Sequence, residues 1–214
     1  MNPNGTHPLP SQPLRLYRHE LSGHAHRVEL LLSLLGLPFE RVDVDLRRRE
    51  HKQPAFLEKN PFGQVPVIED GELTLADSNA ILVYLATRYD GSGRWWPRDP
   101  VGAANVQRWL SVAAGALVNG PGNARLAVLF RQQGDPQAQE LAHVLLERLE
   151  AHLGTREYFA ADHPTVADVA LYSYTAHAPE GGVSLQPYAR LRAWLQRIEA
   201  LPGFVPMQRS PTLA

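Results

Sequence analysis

A chain of 214 residues, 44% apolar and 20% charged, is long and apolar enough to bury a core, which excludes a disordered protein. Its formal net charge of −1, with both signs mixed along the chain, argues against nucleic acid or an anionic membrane surface as the main partner. There is no cysteine, so disulfides, thiolate metal sites and a protein thiol nucleophile are excluded.

Residues 1–13 carry four prolines among Gly, Asn and Ser and are expected to form a flexible extension. They lack a secretory apolar core, so the cytoplasm is the expected location. "LRLYRH" (14–19) alternates apolar and polar residues as a short strand does. "SGHAHRVELLLSLLGLP" follows as a helix, with Ser22 at the N-cap, a stripe through Ala25, Val28, Leu31, Leu32 and Leu35, and Gly36 and Pro38 as the stop. Its apolar run around Leu30–Leu37 is too short to cross a bilayer, so no membrane partner is expected. "FERVDVDL" alternates again, and the β–helix–β spacing suits a parallel pair with a right-handed crossover.

Residues 47–60 are polar and charged and read as a short helix or an irregular excursion. "VPVIE" and "ELTLA" are strands joined at Asp70-Gly71, a pair that tolerates the positive φ of a type I′ turn. "SNAILVYLATRYD" (78–90) is helical, with Ile81, Leu82, Leu85 and Tyr89 on one face. Gly, Ser and Pro in "GSGRWWPRDP" mark a linker at 91–100. Beyond it, four apolar-striped segments separated by Gly and Pro are all helical in pattern. The expected organisation is an extension (1–13), an α/β domain (14–90), the linker (91–100) and an all-helical domain (101–214).

Three local features raise questions of chemistry. Pro66 stands at the start of a strand, where a proline fits an edge or a first residue because it cannot donate to the ladder. An ordinary edge proline is one reading. A cis Val65–Pro66 bond that turns the Val65 backbone outward, to pair with an extended peptide, is the other. Asp77 and Ser78 open a helix, either as plain caps or as a place where free N–H groups and the helix dipole receive a carboxylate while Asp77 accepts from an ammonium. Ser22, at the first strand-to-helix turn, is an N-cap or a hydroxyl donor to an anion. No Asp–His pair at suitable spacing accompanies it, and neither G-x-S-x-G nor a phosphate loop is present.

The remaining candidates divide more easily. His24 and His26, two apart on a helix, point to different sides and make no metal pair; they read as surface or substrate-side groups. Thr165 and Asp168 form an Asp version of the capping box and read as structural. The charge run "RRREHK" (47–52) is a solvated face, or else brings His51 or Lys52 to a carboxylate. "VNGPGNARL" (118–126) interrupts a long helix, as a plain loop or as the opening of a cavity.

Together, "SGHAHRV", "EHKQPAFLEKNPFGQVPVIEDGELTLADSNAI" and "TVADVAL" resemble the cytosolic glutathione transferase family, closest to its serine-type branches such as phi and theta and to bacterial relatives. The resemblance runs from Leu14 onward and is strongest over residues 50–85. It implies a thioredoxin-like N-terminal domain, an all-α C-terminal domain and a homodimer. It implies that Ser22 faces the sulfur of glutathione, that Val65 before a cis Pro66 pairs with the cysteinyl backbone, and that Gln64 stands beside it. By the same resemblance Asp77 and Ser78 hold the γ-glutamyl end, with Asp77 where phi-like sequences usually have Glu, and His51 and Lys52 meet the glycine carboxylate. The implied activity is conjugation of the glutathione thiolate to a small apolar electrophile, in a cleft walled by His24, by helices near Trp109 and Asp168, and by Tyr172 or Tyr174. Glutathione is the co-substrate and no metal is implied. Two alternatives share the fold: reduction of organic hydroperoxides by the same thiolate, and a non-catalytic interaction module.

Overall fold

The computed structural model describes residues 9–210. The first eight residues of the expected extension therefore lie outside the described residues, while 9–13 form neither helix nor strand. Strand β1 (Leu14–Arg18), helix α1 (Gly23–Leu34) and strand β2 (Phe39–Asp43) form the expected parallel unit, with Leu14 opposite Phe39. The excursion holds a 3₁₀ turn, Glu50–Lys52, and a short helix α2 (Pro54–Leu57). Strands β3 (Val67–Asp70) and β4 (Leu73–Ala76) form the hairpin, and α3 (Ser78–Tyr89) follows. The sheet order is β2-β1-β3-β4, with β3 antiparallel to both neighbours. This is the thioredoxin-like layer, and its α3 face is closed by Ile81, Leu82 and Leu85, all fully buried. Each contributes about 1.5–3 kcal/mol relative to exposure.

Two strand-level expectations are corrected. Pro66 does not lie on an edge strand: it immediately precedes β3, which has a neighbour on each side. The missing N–H therefore costs no ladder bond, because the ladder begins one residue later, at Val67 opposite Ala76. The hairpin turn also differs. Asp70 pairs with Leu73, so the central residues are Gly71 and Glu72, and of these only Gly71 has a positive φ, +59°. That pattern is type II′, which needs a Gly at the first central position rather than two residues of positive φ.

The second half is helical throughout: α4 (Pro100–Ala114), α5 (Asn123–Leu126), α6 (Pro136–His152), α7 (Val166–Ala176) and α8 (Ala189–Glu199). The interruption around 118–126 is not a loop. It is a wide π-helical stretch, Val118–Gly122, that continues through α5 into a second, Ala127–Arg131. Pro121 lacks the N–H that an α ladder requires, which explains the wider winding. A Cβ on Gly120 would lie 2.8 Å from the backbone of Ala142, so the absence of a side chain there is what lets this stretch cross α6.

Helix α7 is the hub, packing on α1, α3 and α4. Its first turn is the capping box read from the sequence: Thr165 Oγ1 accepts from the Ala167 N–H, and Asp168 Oδ2 accepts from the Thr165 N–H at 2.9 Å. Asp168 does more than cap. Its Oδ1 accepts from the Phe159 N–H at 3.1 Å and from Trp194 Nε1–H at 3.0 Å, all in a fully buried setting. Asp168→Ala strips four buried donors of their acceptor, the Thr165 N–H of the capping box and the Thr165 hydroxyl among them, so a loss of roughly 3 kcal/mol or more is expected. Urea unfolding with an unchanged slope checks it. A loss under about 1 kcal/mol would refute this account of α7's anchorage.

Candidate functional site

One cavity of about 880 Å³ opens between the sheet layer and the helical half, a volume within the range of small-molecule sites. Ser22, His51, Lys52, Gln64, Val65, Pro66, Asp77 and Ser78 all line it. Chain order therefore does not separate them; three turns bring them together.

The first turn links β1 to α1. Ser22 is the N-cap, its Oγ accepting from the Ala25 N–H at 3.2 Å, which leaves the hydroxyl proton for another acceptor. The turn is held from the helical half. Arg125, fully buried, donates through Nη1 to the Leu21 carbonyl at 2.7 Å and through Nε to Glu180 at 2.7 Å. Glu180 also meets His177 Nδ1 at 2.6 Å. Burial works against the Glu180 charge, yet the His177 and Arg125 hydrogen bonds outweigh it and hold the carboxyl at about 2.

The second turn enters β3. The Val65–Pro66 peptide is cis, and no hydrogen bond among the described residues engages the Val65 N–H or carbonyl. Asn60 shapes this turn by donating through Nδ2 to the Gln64 carbonyl at 2.8 Å and accepting from the Phe62 N–H at 3.1 Å. Lys52 reaches over from the excursion and donates to the Phe62 carbonyl at 2.9 Å. His51 lies beside it with a buried, unpartnered Nδ1. Burial, then the charges of Lys52 and Arg49, lower the His51 pKa and favour the neutral ring.

The third turn leaves β4 for α3. Asp77 has φ +72°, uncommon outside glycine though Asp tolerates positive φ better than most, and its Oδ1 accepts from the Asn79 and Ala80 N–H groups, both at 2.9 Å. It is thus a true N-cap, with Oδ2 left over. Ser78 is buried, with Oγ 3.2 Å from His24 Nδ1 and 3.4 Å from Arg27 Nη1.

Sequence reasoning missed Arg27. It is fully buried, donates to Asn79 Oδ1 at 2.9 Å and lines the cavity, with Nε and Nη2 unpartnered among the described residues. Burial lowers its pKa to about 10, so it stays charged at neutral pH. A signal existed: Gly23 and Leu31, four residues to either side, both fall on the buried face of α1.

The histidine expectation is corrected in part. His24 does line the cavity, but His26 is neither on the surface nor on the substrate side. It is 4% exposed and bridges Ser173 Oγ and the Val205 carbonyl, both at 2.9 Å. Since a carbonyl only accepts, Nε2 carries the proton and Nδ1 accepts from Ser173. The apolar wall is Leu21, Ala114, Val118, Leu126, Phe130 and Tyr174. Trp109 and Asp168 do not reach it: Trp109 packs against His152 and Phe159, and Asp168 is committed to the capping network. Tyr172 turns away to donate to Glu199 at 2.9 Å. Among the described residues no cluster of His, Asp and Glu could hold a metal ion, and no helix is long and apolar enough to cross a membrane.

Comparison with known proteins adds family to geometry. The family description "Glutathione S-transferase, N-terminal domain" matches residues 12–87, and "Glutathione S-transferase, C-terminal domain" matches residues 129–202. "Glutathione S-transferase 3" of Zea mays is 36% identical over 206 residues, covering 90% of this chain and 91% of its own. A possible glutathione S-transferase of Rhodopseudomonas palustris superposes with a TM-score of 0.84 at 35% identity, over 94% of this chain and 100% of that one. A Drosophila mojavensis glutathione transferase homologue, solved with bound glutathione, gives a TM-score of 0.82 at 29% identity, with 89% of each chain covered.

Burial, with a smaller push from Arg27, lowers the His24 pKa to about 3. Burial, reinforced by His177, Arg18 and Arg27 and opposed by the Val205 carbonyl, lowers His26 to about 4. Both are neutral in the fold but protonate near 6.5 once unfolded, so the unfolded chain binds more protons below that pH. Stability is therefore complete above about pH 6.5 and declines as pH falls toward the folded values. At about pH 5 each histidine costs roughly 2 kcal/mol. His24→Gln should remove one such share of the acid loss, read as a shallower decline of unfolding free energy between about pH 6.5 and 5. An unchanged decline would contradict a buried, neutral His24.

Proposed function

We propose that this chain, which belongs to the glutathione S-transferase family, binds glutathione across its three turns and ionises the thiol with the Ser22 hydroxyl. As an enzyme it is a glutathione S-transferase; the residue roles and the second substrate are our reading. The observation that carries it is the convergence of Ser22, Val65, Asp77, Ser78, His51 and Lys52 on one cavity with an apolar wall opposite. The Val65 backbone pairs with the cysteinyl residue, with Gln64 alongside. Asp77 Oδ2 takes the γ-glutamyl ammonium, and Ser78 with the α3 N-terminus takes its carboxylate. Lys52 and neutral His51 meet the glycine carboxylate.

A free thiol near pKa 8.5 is only a few per cent ionised at neutral pH. A hydrogen bond to a charged acceptor is worth about 1.5–3 kcal/mol, which lowers the thiol pKa by ~1–2 units. The thiol proton leaves to water, the sulfur attacks an electrophilic carbon, a C–S bond forms and the leaving group departs with the electrons of the broken bond. The electrophile is small and apolar, seated against Val118, Leu126 and Phe130. The reading extends to a cytoplasmic homodimer with an α/β domain at 14–90, a linker at 91–100 and a helical domain at 101–214.

Retention on immobilised glutathione, followed by turnover of an aryl halide, tests the reading as a whole. Binding without turnover of any aryl halide or hydroperoxide would leave the interaction module standing instead, and turnover of hydroperoxides alone would move the reaction to peroxide reduction. Ser22→Ala should cut turnover at neutral pH about ten- to a hundredfold with little change in glutathione affinity. Lost binding with unchanged turnover per bound complex would show that Ser22 has the wrong role. Asp77→Asn keeps the cap and the tolerance for positive φ but removes the charge. It should weaken glutathione binding about tenfold, by titration calorimetry, at unchanged thermal stability; equal affinity would remove Asp77 from the ligand set.

A further inference from the structure

The N-terminus of α1 is the natural seat for an anion in this cavity, yet protein groups already crowd it. The Ala25 N–H donates to Ser22 Oγ. Tyr174 of α7 stands over the next residue, Gly23. Tyr174 is 4% exposed and lines the cavity together with Ser22. Its ring lies so near Gly23 that a Cβ there would sit 2.8 Å from Cε1 and Cζ. Any side chain at 23 would push the phenol off the helix end. The His24 ring meets it edge-on, with centroids 5.2 Å apart.

Tyr172 spends its hydroxyl proton on Glu199, whereas no acceptor among the described residues takes that of Tyr174. The charged and titratable groups around it are Arg27 and His24 on α1 and Arg125 on α5. Burial raises the phenol's pKa, and the two arginines oppose without reversing that, so it remains an O–H group at neutral pH.

We propose that Tyr174 is a second hydroxyl at the reacting centre, donating a hydrogen bond to the glutathione sulfur alongside Ser22. The assignment rests on the glutathione reading above. No covalent bond is made or broken at Tyr174; its proton stays on the phenol throughout. Tyr174 is thus a catalytic residue supplied by the helical half to a thiol held by the α/β half.

The test is a titration of bound glutathione by its ultraviolet thiolate absorbance, from about pH 5 to 9, in wild type and Tyr174→Phe. The variant should raise the bound thiol's pKa by about one unit and cut turnover about tenfold at the acid end, with the gap closing as pH passes the new pKa. Its affinity for glutathione should stay within about twofold. A merely structural phenol would lower the melting temperature and leave the pH profile where it was. Replacing Tyr174 with 3-fluorotyrosine gives a stronger donor of nearly the same size and should shift the thiol pKa downward; this protein decides alone should the Phe variant fold poorly. An unshifted thiol pKa overturns the Tyr174 assignment and leaves glutathione conjugation by Ser22 intact. A wild-type protein that develops no thiolate absorbance with glutathione overturns both.

Discussion

The contact of α7 with α1 is the constraint on which the site depends. Helix α1 carries Ser22 at its N-cap, and a strand-to-helix turn on the surface of a small α/β layer has little of its own to fix it. Here the helical half supplies the fixation at three points. Tyr174 packs on Gly23, Ser173 bonds His26 and Arg125 holds the Leu21 carbonyl. The first two anchors sit on α7, whose own position is set by Asp168 and its four hydrogen bonds. Arg125 alone would be a costly choice, because an unpaired buried guanidinium loses several kcal/mol of hydration. Glu180 and His177 offset that loss, so the strut is a paired network rather than a stranded charge.

Charge in the cavity is arranged so that the protein's own histidines stay neutral around neutral pH. His24 and His51 are both held below their ordinary pKa by burial first and nearby cations second. Arg27 keeps its positive charge one layer behind Ser78, and the N-terminus of α3 adds its dipole in front. The polar end of the cavity therefore offers a potential that varies little across physiological pH. In the reading we propose, the titration that matters there belongs to the ligand's sulfur.

How much of this the sequence disclosed follows from the range of each interaction. Ser22, Asp77 and Thr165 were legible as caps because capping is a contact between residues two or three apart. The parallel β1–β2 unit was legible because periodicity switches from two to 3.6 and back within one short segment. The position of β3 inside the sheet was not, since strand order is set by long-range pairing that no local pattern encodes. Arg27, His26 and Arg125 were hidden for the same reason. Their partners lie 52, 147 and 104 residues away, and a lone cation or imidazole in an apolar stripe looks the same whether its partner exists or not. Among the cavity residues, the two tyrosines of α7 could not be told apart by phase alone; the contact with Gly23 separates them.

A thiolate site gains nothing from unlimited stabilisation. Once the thiol's pKa falls below the working pH almost every bound molecule is ionised, and further lowering only weakens the nucleophile, since reactivity falls with basicity with a slope of about 0.4–0.5. Starting near 8.5, one hydroxyl donor would bring the pKa to about 7 and the proposed second one a little below it, because neighbouring hydrogen bonds do not add in full. A guanidinium in direct contact would overshoot. Among the described residues neither buried cation hydrogen-bonds the hydroxyl of Ser22: Arg27 Nη1 contacts Asn79 and Ser78, and Arg125 Nη1 contacts the Leu21 carbonyl. With no cysteine in the chain, the sulfur in the proposed reaction comes from the ligand, and the reading we propose sets alcohols near it.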